Sequence, residues 1–198
     1  MTELEAVNMM LRELGSSKVN NLSSSHPDIA NCQDTLSRLR EQEQRSPWWF
    51  NTDYNVTFQR DTANEISIAD AIDSVVWQDD LLVVRGGKLY NSYDQTYVFD
   101  CDVTAYRVVR LLDWDELPGT MQDYLMYSAA AEVVRTELED TGKQNSLLEQ
   151  AGRARIKLQA QDLREGKHNV FRNARILRTR AGVRPSRTSI SSVSRYLL

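Results

Sequence analysis

The sequence predicts an α+β fold: an antiparallel helical bundle with an inserted antiparallel β region and a C-terminal extended arm. Three observations predict it. Apolar residues recur at three- and four-residue spacing over the first 45 residues and again from about 120 to 166, the signature of helices with one buried face. Between about 48 and 112 the period drops to two, the signature of half-buried strands. Beyond Phe171 apolar residues thin out and arginine, serine, threonine and a proline dominate, a composition that buries too little surface to offset the entropy of ordering on its own. The segments divide as N-terminal helices over 1–46, the β region over 47–112, C-terminal helices over 113–166 and a basic arm over 167–198.

The first helix follows from Leu4, Val7, Leu11 and Leu14 on one face, with Thr2 and Glu5 spaced as a capping box and Gly15 as the stop. After a polar loop over 16–25, Pro27 opens a second helix whose stripe is Ile29, Cys32, Leu36 and Leu39. Its last turns, 40–45, carry only charged and amide side chains and read as a solvated or subunit-facing end.

Phe50, Tyr54, Val56 and Phe58 alternate with Asn51, Asp53, Asn55, Thr57 and Gln59 as the first strand. Further strands are expected over 65–68, 73–78, 81–85, 88–91, 96–99 and 104–112, with Asp79-Asp80 and Gly86-Gly87 as hairpin turns. Helix returns after Pro118-Gly119. Thr120 is a possible cap, Met121, Leu125, Ala129 and Val133 form the buried stripe, and Gly142 ends it. Ser146 with Glu149 suggests another capping box, followed by the stripe Leu147, Ala151, Ala154 and Leu158. The small residues 128–131 would let a neighbouring helix approach closely.

At 198 residues the chain forms one full domain or two small ones. A chain of this size buries about 70% of its unfolded surface, so it needs no disulfide or metal staple. No run approaches the ~20 apolar residues of a membrane span, and the acidic opening Met1-Thr2-Glu3-Leu4-Glu5 lacks the pattern of a secretory signal. Two distant cysteines, Cys32 and Cys101, suit a reducing compartment and read as buried thiols.

The net charge of −4 hides a division. Residues 167–198 carry eight bases and no acid, whereas the first 166 residues carry 28 acids against 16 bases. Such asymmetry concerns partners more than fold.

Motifs for catalysis are sparse. His26 and His168 stand near opposite ends and read as surface residues; no Cys/His cluster has zinc spacing. Gly142-Lys143 resembles the end of a phosphate loop, but Glu137 stands where that loop needs glycine. Gly-x-Ser-x-Gly and His-Glu-x-x-His are absent. Asp79-Asp80, Asp100 with Asp102, and Asp113 with Asp115-Glu116 could supply an acid and a base for glycoside hydrolysis. Turns and helix starts attract such acids without any catalysis. No catalytic, cofactor-binding or metal residue is assigned.

The arm is the outstanding feature. Its Arg172, Arg175, Arg178 and Arg180 could neutralise phosphates, making nucleic-acid binding one alternative. Only Phe171 and Tyr196 are there to stack on bases, and a basic arm can equally dock on an acidic protein surface or simply solubilise the chain end.

Five stretches in order carry a resemblance to a known family. They are Glu5-Ala6-Val7-Asn8 with Leu11, Leu14-Gly15, Val19 and Leu22; Ala30-Asn31, Leu36 and Leu39 running to Trp49-Phe50-Asn51; Arg85-Gly86-Gly87-Lys88-Leu89-Tyr90-Asn91; Asp113-Trp114-Asp115-Glu116-Leu117-Pro118; and Gly166-Lys167-His168-Asn169-Val170-Phe171. Over about residues 3 to 171 the chain resembles the tail tubular protein A family, the head-to-tail adaptors of short-tailed bacteriophages; the strongly basic ending departs from that pattern. The resemblance implies a structural virion protein and no enzyme. It implies a homo-oligomeric, dodecameric ring between the portal protein and the tail nozzle protein, with DNA passing through the channel without specific binding. The site is at the phage head-tail interface, assembled in the host cytoplasm, with no membrane and no cofactor. The arm would be the portal-binding element, through Phe171, Arg172, Arg175, Arg178, Arg180, Arg184, Arg187, Arg195 and Tyr196. A tail-associated glycoside hydrolase is a further alternative.

Overall fold

The computed structural model describes residues 1–23 and 26–165. Four helices form the bundle: α1 (Glu3–Leu14), α2 (Pro27–Gln44), α3 (Gly119–Glu137) and α4 (Thr141–Glu165). α1 begins and ends as its sequence dictates. The Glu5 backbone N–H donates to the Thr2 hydroxyl at 3.2 Å, and the Thr2 N–H donates to the Glu5 carboxylate at 2.8 Å. Gly15 takes φ 79°, the left-handed closure that costs a residue with a side chain most. At α2, His26 Nδ1 accepts from the Asp28 backbone N–H at 3.3 Å, so this histidine acts as a helix cap.

Contacts between helix ends fix their directions. Asn31 at the start of α2 donates to Glu137 at the end of α3, and Tyr124 near the start of α3 donates to Glu43 at the end of α2. Thr120 and Gln161 join the start of α3 to the end of α4. The Met1 ammonium reaches Gln122, while Lys143 at the start of α4 pairs with Glu13 near the end of α1. So α1 and α3 run one way, and α2 and α4 the other. α3 is the central helix: ten of its residues are buried, among them Met121, Leu125, Ala129 and Val133. The expected stripe Leu147, Ala151, Ala154 and Leu158 buries α4.

Between α2 and α3 lies the β region. β1 (Thr52–Phe58), β2 (Ile72–Trp77) and β5 (Val103–Arg110) form an antiparallel sheet in the order β1-β5-β2. β3 (Leu82–Arg85) and β4 (Lys88–Asn91) form a separate hairpin. Gly86 and Gly87 have φ of 58° and 72°, the pair of positive values that the two-residue turn requires. Ile66, Ile68, Trp77, Leu89, Ala105 and Val108 make the small core of this region. A short 3₁₀ turn, Trp114–Glu116, leads into α3.

Several local expectations are corrected. Residues 65–68 and 96–99 form only isolated bridges, Glu65 to Val98, Ser67 to Lys88 and Asn91 to Thr96. Asp79-Asp80 makes a turn, but it joins two different sheets and closes no hairpin. α3 starts at Gly119 behind Pro118, and Thr120 spends its hydroxyl on Gln161 instead of capping. α4 starts at Thr141, five residues before Ser146, because the Asp140 side chain accepts from the Lys143 N–H at 2.9 Å. That leaves Gly142 inside the first turn. Cys32 is buried as expected, but Cys101 is exposed.

The largest correction is at Gln44, in the α2 end expected to be solvated or subunit-facing. Gln44 is fully buried. Its side-chain amide donates to the Leu112 carbonyl at 3.0 Å and accepts from the Leu112 N–H at 2.7 Å. Asn51, expected on a polar strand face, is also buried; it donates to the Gln44 carbonyl at 2.7 Å and accepts from the Trp48 N–H at 2.8 Å. Two buried amides thus tie both chain crossings into the β region to the end of α2. A buried amide is tolerated only when so fully satisfied. The same end of the bundle receives the close of α4, where Asp162 accepts from the Trp49 N–H at 3.0 Å.

Candidate functional site

The carboxylates that might have formed a catalytic pair are dispersed into structural tasks. Asp79 accepts from the Leu81 N–H at 3.0 Å, shaping its own turn. Asp102 accepts from the Arg60 N–H at 3.1 Å and lies 3.6 Å from the Arg60 guanidinium. Asp113 precedes the 3₁₀ turn, where Glu116 reaches back to its N–H at 3.2 Å and Arg40 lies 3.6 Å away. Asp80, Asp100 and Asp115 are exposed. Among the described residues no group of His, Cys, Asp and Glu could hold a metal ion. Among them, too, no helix is long and apolar enough to cross a membrane. A shallow groove of ≈ 190 Å³ between α3 and α4 is lined by Thr120, Asp123, Tyr127, Gln150, Arg153 and Lys157, without histidine or cysteine.

The cysteine chemistry divides as the burial does. Burial, reinforced by the nearby Asp28 and Glu137 carboxylates, pushes the Cys32 thiol up to about 12. It remains a neutral packing group and no nucleophile.

What the β region offers is a surface. Asn55 takes φ 55° in the middle of β1, a conformation asparagine tolerates better than most residues. There the simple alternation fails: Val56 and Phe58 pack on the β core, but Tyr54, expected to share their face, is 57% exposed. On β5 two residues, Tyr106 and Arg107, separate the inward Ala105 and Val108, and the β2–β5 register shifts at the same place. Tyr106 is 55% exposed and meets Tyr54 edge-on with ring centroids 6.0 Å apart. The register sets Arg107 between Tyr54 on β1 and Val76 on β2, which is 40% exposed. Tyrosine and arginine are the residues that dominate the energetics of protein interfaces. Sequence reading missed this group. Its signal was the arginine in the otherwise apolar and aromatic run 105–109.

The other candidates, Phe171, Arg172, Arg175, Arg178, Arg180, Arg184, Arg187, Arg195 and Tyr196, lie outside the described residues, as does His168. The structure places none of them.

The chain is similar to "Tail tubular protein A" of Klebsiella phage KP34, with 29% identity over 144 residues, 70% of this chain and 74% of that protein. The family model for tail tubular proteins matches residues 4–168, which takes in the four helices but for the first residue of α1, and the whole β region. With a match over most of its length, this chain belongs to the tail tubular protein family, and so is a structural component of a phage tail.

Proposed function

We propose that the chain is one subunit of a head-to-tail adaptor ring, twelve copies joining the portal protein to the tail nozzle protein of a short-tailed phage. The observation that carries this is the family match over 4–168 together with the charge division at its end: 28 acids against 16 bases up to residue 166, then eight bases and no acid. Identical subunits meeting head to tail close into a ring when the rotation between neighbours divides a full turn. A ring of acidic bodies repels the phosphates of DNA, so the genome slides through the channel without being held. The arm, through Phe171, Arg172, Arg175, Arg178, Arg180, Arg184, Arg187, Arg195 and Tyr196, attaches the ring to the portal by charge complementarity. Assembly takes place in the host cytoplasm, and the subunit transforms no substrate.

The test is deletion of residues 172–198. The shortened chain should remain folded, with a cooperative thermal transition, and should fail to join portal-bearing heads. Undiminished attachment would refute the role of the arm.

A further inference from the structure

We propose that the outer face of the β1-β5-β2 sheet, centred on Arg107, receives the Asp80–Leu81 turn of the next copy of this chain. The proposal rests on the ring reading and names the surfaces that would build it.

The charges of the β region point to this contact. It has five bases. Arg60 is paired with Asp102, Lys88 with Glu65, and Arg110 with Asp53 at 2.5 Å, while Arg85 lies over the Tyr90 ring at 4.2 Å. Arg107 alone has neither an acid nor a ring among the described residues, and its Nε is shut off from water with no acceptor. Closing off a guanidinium N–H without an acceptor is costly, and a carboxylate brought to the rest of the fork offsets that cost. Around Arg107 stand Tyr54, Tyr106 and Val76, an apolar rim that would exclude water from such a pair.

The complementary group is also in the β region. Asp70, Asp80 and Asp100 are its acids without a partner among the described residues. Of these, Asp80 is followed directly by an exposed leucine, Leu81. Their turn is held in shape by the Asp79 side chain on the Leu81 N–H and by the Asp79 carbonyl on the Leu82 N–H at 3.2 Å. A preformed acid beside an apolar side chain matches an arginine beside tyrosines, and docking it orders little that was free. Within one copy the two groups make no pair. The contact joins two different groups, so it can repeat from copy to copy around a ring.

Charge reversal tests it, with assembly of the full chain read by sedimentation velocity. Arg107→Glu and Asp80→Arg should each weaken association at least about tenfold, since a charge-assisted pair contributes on that order. An equimolar mixture of the two variants should restore it, because each supplies the face the other has lost; so should both changes in one chain. Asp80 is an exposed turn residue, so its variant folds even if the half-buried Arg107 variant does not. A wild type that assembles while Asp80→Arg assembles equally well overturns the contact and leaves the ring. Rescue of Arg107→Glu by Asp100→Arg instead of Asp80→Arg overturns the assignment of the acid. For a wild type that stays single at about 1 mM, where even a weak Kd registers, the same variants are read by incorporation into portal-bearing heads. A wild type incorporated while Asp80→Arg is incorporated equally well overturns the contact, and a wild type not incorporated at all overturns the ring reading.

Discussion

The helical bundle and the β region use their apolar residues in opposite ways. The bundle core contains 23 buried residues and the β core six. Conversely, eight of the thirteen exposed large hydrophobic residues of the described chain lie in the β region: Tyr54, Val76, Leu81, Val84, Tyr93, Tyr97, Val98 and Tyr106. The bundle is therefore a self-sufficient scaffold. The β region is a thin platform that keeps its aromatic surface outside, as a structural part of a phage tail must if it is to touch neighbours. Six buried residues give little margin, and the amide knot of Gln44 and Asn51 is what seats the platform on the end of α2.

The strongest way to break the scaffold is Leu125→Ala, at a fully buried site of the central helix. It should cost about 2–5 kcal/mol and lower the denaturation midpoint of helical and aromatic signals together. Gln44→Leu strikes the seam instead. It leaves the Leu112 N–H and carbonyl and their surroundings unsatisfied at about 1–3 kcal/mol per group. The expected result is a split transition in which the signal of Trp77, the tryptophan of the β core, is lost before the helical signal, read in a background where Trp48, Trp49 and Trp114 are phenylalanine. The same coincident transition as in that background without the change would show that the knot does not couple the two regions. Thr2→Ala removes only a cap and should cost about 1 kcal/mol, read as fraying of α1 in hydrogen exchange without effect on the β region.

The smallest effect is chemical. With a neutral thiol reagent at pH 8, Cys101 should react at once and Cys32 only on unfolding. The raised Cys32 value also has a consequence for stability. Between about 9, where an unfolded thiol ionises, and about 12 the folded chain holds a proton that the unfolded chain has lost. Stability therefore falls as pH rises through that window. Cys32→Ala should flatten this part of the stability-pH profile relative to the wild type.

Much of the architecture was legible in the sequence because helices announce themselves through repeated spacing and caps. Thr2, Glu5 and Gly15 behave as written, and the stripes of α3 and α4 are the ones that periodicity selects. Where expectation failed, a tertiary partner or a nearer cap outbid the signal that was read. Thr120 turns to Gln161 on another helix, and Asp140 begins α4 ahead of the capping box at Ser146 and Glu149. Gln44 looks like a solvated amide in sequence, since its partner Leu112 is far along the chain. The surface around Arg107 was hidden for a related reason. Period-two reading assumes an unbroken pleat, and Asn55 with the register shift beside Tyr106 breaks it at the rung that matters. The arm was legible as charge and composition, and its role in attachment is tested by the deletion described above.

On the proposed contact, the β platform carries assembly and the bundle supports it. The decisive measurement is hydrogen exchange of single copies against the assembled protein. New protection should fall on Thr52–Phe58, Ile72–Trp77 and Val103–Arg110 and on the turn over 79–82, with α1 to α3 unchanged. Protection confined to the helices, with those three strands exchanging as in the single copy, would contradict it.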